Sequence, residues 1–139
     1  MVRSAGFALL IGRIAVGLVF VLHGWRKVVD DGMDVTVANF AKLGFPAPEF
    51  LAWFSALVEL VGGALFILGV ALPLVGTLLA VVCVLGILFV TAKNGFWAGN
   101  GGYEYELVLA CTALGIGFAG GGIGVGDYYR RRRHPADAT

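Results

Sequence analysis

LVGGALFILGVALPLVGTLLAVVCVLGILFVTA, residues 60–92, runs for 33 residues without a charged side chain. As one helix, at about 1.5 Å per residue, it would exceed ~45 Å, more than the ~30 Å hydrocarbon core of a bilayer. The stretch therefore holds the end of one span and the whole of the next. Gly69 and Pro73 mark the break, because glycine suits the end of a helix and proline the first turn of a new one. The two spans form a tight hairpin.

Working outward, residues 5–22 form an apolar run interrupted only by Arg13. No small-x-small cleavage pattern follows at His23-Gly24-Trp25-Arg26-Lys27, so the segment reads as a retained span. Another run starts near Phe50 and contains Trp53, Ser55 and Glu59. A last one is introduced by Tyr103-Glu104-Tyr105-Glu106. The expected architecture is an all-α, four-span bundle in the cell membrane, with spans at about 5–27, 50–70, 73–92 and 104–125 and a basic tail at 130–139. Composition agrees: 59% of the 139 residues are hydrophobic and 14% charged, against about 25% charged in soluble domains. The connection 30–48 is the longest. Its Val35, Phe40 and Leu43 allow either a short helix lying on the membrane or an ordered loop.

Arg130, Arg131, Arg132 and Arg133 follow the last span, and Arg3 precedes the first. The positive-inside rule makes both termini cytoplasmic and brings the tail against anionic lipid. Nothing in this distribution calls for nucleic acid.

A charge inside a bilayer costs at least ~2.5–3.5 kcal/mol at mid-helix. Arg13 and Glu59 therefore need polar surroundings. Counted from residues 5 and 50, Arg13 lies ~12 Å from one membrane edge and Glu59 ~13 Å from the other. In antiparallel spans this places them within about one turn of each other, as an intramembrane ion pair. Such a pair serves either as a clasp that fixes register or as part of a proton or ligand path.

A second constellation gathers at the outer ends of the spans. His23, Arg26 and Lys27 share helical spacing at the exit of the first span. Glu104 and Glu106 stand at the entrance to the last, and Trp25, Trp53, Trp97, Tyr103 and Tyr105 accompany them. An interfacial aromatic belt with snorkelling cations explains this mixture. So does an outward pocket for a quinone headgroup, with His23, Glu59 and Glu104 moving protons and Trp25, Lys27, Trp53 and Tyr103 as walls and contacts. Cys83 and Cys111 lack a Cys-x-x-Cys context. Gly115-Ile116-Gly117-Phe118-Ala119-Gly120 matches a dinucleotide fingerprint, but it lies in an apolar helix with no preceding strand. With Gly121, Gly122, Gly124 and Gly126, these glycines suit close helix approach. No motif for haem, flavin, nucleotide or metal is present, and His23 and His134 lie far apart.

The ordered pattern Arg13, Gly17, His23-Gly24-x-x-Lys27, Glu59-x-x-Gly62-Gly63, Asn94-Gly95-Phe96 and Gly102-Tyr103-Glu104 resembles the DoxX family of small four-helix membrane proteins. The resemblance covers roughly residues 11–109. It implies a role in membrane oxidoreductase systems, since the family is named after a subunit of archaeal thiosulfate:quinone oxidoreductase. Some actinobacterial relatives belong to complexes that handle thiol and oxidative stress. It leaves three functions to separate: a quinone-interacting oxidoreductase subunit, a non-enzymatic anchor or accessory subunit, and a transporter of small or lipidic molecules. Each is compatible with a homo-oligomer or a larger complex.

Overall fold

In a computed structural model, which describes residues 2–120, the chain is helical throughout its ordered elements. Helix α1 (Val2–Trp25) runs directly into a π-helical turn, Arg26–Asp30. A short helix α2 (Met33–Lys42) follows, and then α3 (Pro48–Leu57). A second π turn, Val58–Gly62, links α3 to α4 (Gly63–Leu68) in one continuous rod. Helix α5 (Leu72–Gly86) ends in a third π turn, Ile87–Thr91. Two 3-10 turns, Ala92–Asn94 and Ala98–Asn100, lead to α6 (Glu104–Ala119). Among the described residues three rods are long and apolar enough to cross a membrane: Ala5–Asp30, Pro48–Leu68 and Leu72–Asn94. The fourth expected span is described only as far as Gly120. Its expected end near residue 125, the glycines at 121, 122, 124 and 126, His134 and the tail arginines 130–133 lie outside the described residues.

The hairpin break falls at the expected place. Gly69 closes α4 with φ +76°, Ala71 is also left-handed at φ +47°, and Pro73 sits in the first turn of α5. The first rod differs from expectation. Instead of leaving the bundle near Lys27, it continues to Asp30, because α2 folds back and packs beside it. Thr36 of α2 is buried, with its hydroxyl oxygen 3.0 Å from the carbonyl oxygens of both Lys27 and Gly32. Connection 30–48 thus contains a helix, with its Thr36 face turned to the protein and Val35 exposed.

Two seams let backbones touch. A Cβ on Gly63 would lie 2.8 Å from the Gly17 carbonyl oxygen, and one on Gly17 would lie 2.7 Å from that of Gly63. Across α5 and α6, a Cβ on Gly76 would reach within 2.6 Å of the Ala113 carbonyl oxygen, and one on Gly117 within 2.9 Å of that of Leu72. Such small-residue seams join helices in lipid, where apolar side chains gain little by leaving the solvent. Between the seams, Phe20, Phe66, Val75, Leu79 and Ala113 fill the core.

The same substitution should therefore act oppositely at two glycines. Gly63→Ala forces α1 and α4 apart and is expected to lower stability by about 1–3 kcal/mol. Gly115→Ala, with nothing within 4 Å of its Cβ among the described residues, is expected to be neutral or to stabilise by up to about 1 kcal/mol. Thermal unfolding in a mild detergent reads both.

Candidate functional site

A π turn contains one more residue than an α turn, widens the helix locally and is frequent at functional sites. Here Lys27 lies in the first π turn and Glu59 in the second, and the Asp31 N–H donating to the Arg26 carbonyl oxygen at 2.9 Å shows the widened ladder. The third π turn carries Phe89 and Val90. These distortions, in three different rods, meet around one cavity of about 280 Å³.

Its polar corner is a buried ion pair. The Lys27 ammonium donates to both carboxylate oxygens of Glu59 at 2.7 Å and to the Ser55 hydroxyl oxygen at 3.1 Å. All three lysine N–H bonds are thereby used. The Ser55 hydroxyl in turn donates to the Ala52 carbonyl oxygen at 3.4 Å. Glu59 is 5% exposed and Ser55 3%, so solvent screens the pair little and the charge-assisted bonds are strong. The Phe40 ring lies 5.8 Å from the ammonium. A stack of Phe40, Phe45 and Phe89, with centroids 4.3 and 4.4 Å apart, ties α2 to the third π turn. Two lysine bonds leave the Glu59 carboxylate further acceptor capacity, enough for a ligand hydroxyl.

His23 stands one turn before Lys27 on the cavity wall. Its Nδ1 lies 2.8 Å from the Val19 carbonyl oxygen. A carbonyl only accepts, so Nδ1 is the donor in this bond. Facing these groups, α6 supplies Tyr105, Glu106 and Leu109, and α5 supplies Val82 and Cys83. Among the described residues no three His, Cys, Asp or Glu side chains gather as metal ligands. Cys83 is buried, Cys111 is exposed, and both are free thiols.

The expected pairing of Arg13 with Glu59 is corrected. Glu59 is held by Lys27, and the Arg13 guanidinium lies at the α4–α5 turn, where a Cβ on Gly69 would come within 2.7 Å of its Nη1. Gly69 is ten residues beyond Glu59, roughly 15 Å along the rod. Arg13 is 1% exposed and sits beside the carbonyl end of α4, where a helix favours a cation.

Other expected contacts also divide. His23, Lys27 and Glu59 line the cavity; Glu104, Trp25, Trp53 and Tyr103 do not. Glu104 instead accepts the Ala98 N–H at 3.0 Å, and Tyr103 packs edge-on against Phe96. With the Tyr103 and Glu104 N–H groups bonded to the Gly95 and Phe96 carbonyl oxygens at 3.1 and 2.9 Å, the two motif segments 94–96 and 102–104 knit one loop. Trp25 and Trp53 are half-exposed on the outside, and Trp53 borders a shallow surface groove with Val37, Pro48 and Phe50. Ser55, Phe40, Phe45 and Glu106 are the site residues that sequence reasoning did not select. Two of them carried a signal: Ser55 lies one helical turn before Glu59, and Glu106 stands beside Glu104 at the entrance to the last span.

This geometry coincides with a family match. The DoxX family model matches residues 8–92, more than half of the chain, including most of α1 and all three π turns. The chain belongs to the DoxX family. It is 34% identical over 116 residues to a Bacillus subtilis protein named "Putative oxidoreductase CatD", covering 84% of this chain and 83% of that one. It is 41% identical over 61 residues to the "Inner membrane protein YphA" of Escherichia coli, covering 44% of this chain and 42% of that one. No solved structure matches. With its three membrane-length rods, this DoxX protein is a membrane protein.

If the Lys27–Glu59 pair is the clasp of its end of the bundle, Lys27→Met alone strands a buried carboxylate and should cost roughly 3–5 kcal/mol. Lys27→Met combined with Glu59→Leu should recover most of that loss. Equal melting temperatures for the single and double variants in the same detergent would contradict this account.

Proposed function

We propose that this DoxX protein is the membrane subunit of an oxidoreductase system and that its cavity holds the headgroup of a quinone. The observation that carries the reading is the composition of the cavity. One wall holds the hydrogen-bonded Lys27, Glu59 and Ser55, the rim holds His23 and Glu106, and the remaining wall includes Phe20, Phe40, Phe45, Val82 and Leu109. A quinone ring fits apolar walls and needs donors at its carbonyl oxygens, and its reduction consumes two electrons and two protons. A ligand carbonyl that draws Lys27 away from Ser55 would gain a charged donor. Glu59, Glu106 and His23 are within the same cavity as bases that would relay to the ring protons taken up from water. The electrons would come from a partner protein, and the name of the Bacillus subtilis relative accords with such a system.

The same proposal includes the topology. Helix α6 packs along α5 and completes a fourth span. The termini face the cytoplasm, and the arginines at 130–133 contact anionic lipid. The glycine seams leave outer faces rich in exposed aliphatic residues, suited to a homo-oligomer or to a partner subunit.

Purification in nanodiscs supplied with a long-chain benzoquinone or naphthoquinone, followed by mass spectrometry of retained small molecules, tests the reading. Near-stoichiometric quinone is expected. Glu59→Gln should reduce retention about tenfold or more, the effect of weakening one charge-assisted bond by about 1.5–3 kcal/mol. A protein that retains no quinone but holds a stoichiometric partner would instead be an anchoring subunit.

A further inference from the structure

Resting on the headgroup reading above, we infer that the cavity is loaded sideways from the bilayer, through a gap between α1 and α6, by an amphiphile whose long chain remains in that gap. The argument begins with size. A volume of about 280 Å³ lies at the low end of the ~300–1,000 Å³ of small-molecule pockets. It takes a ring, and a chain of many carbons must leave it.

The walls differ in how they are closed. Toward α2, α3 and α5 the lining is more closed: Phe45, Ser55, Glu59, Val82 and Cys83 are buried, and Phe40, Leu85, Gly86 and Val90 are half-buried. Toward α1 and α6 it is open, since His23 and Tyr105 are both exposed. These two helices touch at their other ends, where a Cβ on Gly12 would lie 3.0 Å from Cδ1 of Ile116. Beyond that contact, Val19 and His23 on one side and Tyr105 and Leu109 on the other form the cavity wall.

What flanks the gap identifies the medium outside it. Leu18 and Leu22 on α1 and Val108 on α6 are 49%, 58% and 59% exposed. His23 also lies seven residues inside the end of the Ala5–Asp30 rod, roughly 10 Å along the helix axis. An opening edged by leucine and valine at that depth meets hydrocarbon rather than water. The polar corner at Lys27 and Glu59 then receives a headgroup, while the aliphatic rim accommodates a chain. A water-soluble ligand would have no use for such a rim.

The test uses the full chain in nanodiscs with a long-chain quinone carrying a photoreactive diazirine midway along the chain, and excess unlabelled quinone as competitor. Adducts mapped by peptide mass spectrometry should be competable and at least tenfold enriched at Leu18, Val19, Leu22, Val108 and Leu109 over α2 and α3. Val19→Trp fills the gap and should cut that labelling at least tenfold. Competable adducts concentrated at Phe50 and Trp53 would overturn the lateral route while leaving the headgroup reading intact. Undiminished labelling in a folded Val19→Trp variant would also overturn it. An absence of competable adducts anywhere in the wild-type chain, together with no retained quinone, would remove both.

Discussion

The bond between Lys27 and Glu59 organises the half of this protein remote from the α4–α5 turn. Two opposite charges withdrawn from water are tolerated only when their geometry is good and their remaining hydrogen-bonding positions are filled. Here the ammonium has three acceptors and no N–H to spare. That requirement reaches outward. Ser55 must sit one turn before Glu59, Phe40 must lie near the ammonium, and α2 must fold back far enough for Thr36 to meet the Lys27 carbonyl oxygen. The cavity is the space left when these constraints and the aromatic stack on Phe45 are met together.

Arg13 plays the corresponding part at the other end. Its guanidinium beside Gly69 occupies the corner where α4 turns into α5. The left-handed glycine gives the turn its shape and, lacking a Cβ, also leaves room for the cation. The bundle thus has two charged anchor points, one at each end of a core formed by Phe20, Phe66, Leu79 and Ala113. Neither anchor depends on the other. A ligand that perturbs the lysine corner need not disturb the turn where Arg13 sits.

Much of the fold was legible in the sequence, and the reasons are physical. An uncharged run longer than a bilayer is thick has to turn, and glycine and proline mark where. Lone charges at depth pointed to a polar interior. Depth counting failed for the partner of Glu59 because it assumed straight α-helices that begin and end with the apolar runs. The first rod does not end with its apolar run at Leu22; α1 and the π turn after it continue to Asp30 and carry Lys27 into the bundle. Lys27 therefore read as a snorkelling cation or a pocket contact at a helix exit, although it is the half-buried partner of Glu59. Glu104 and Glu106, two positions apart, point to different sides of a helix. Which of them faced inward depended on how the loop before α6 closes, and hydropathy carries no trace of that. Phe40 and Phe45 come from the longest connection, whose packing against the rods is a tertiary matter.

The three π turns have a consequence for how the family's sequences relate to their shapes. Each extra residue advances the phase of everything downstream by about 100°. Losing a single residue near Val58–Gly62 would leave hydropathy and span length almost unchanged, yet it would rotate one half of that rod against the other. Glu59 could then no longer face Lys27 while Gly63 faced Gly17. The site and the glycine seam are in this sense phase-locked. A relative with the same residues but one fewer in that turn would be a different machine inside an indistinguishable hydropathy profile.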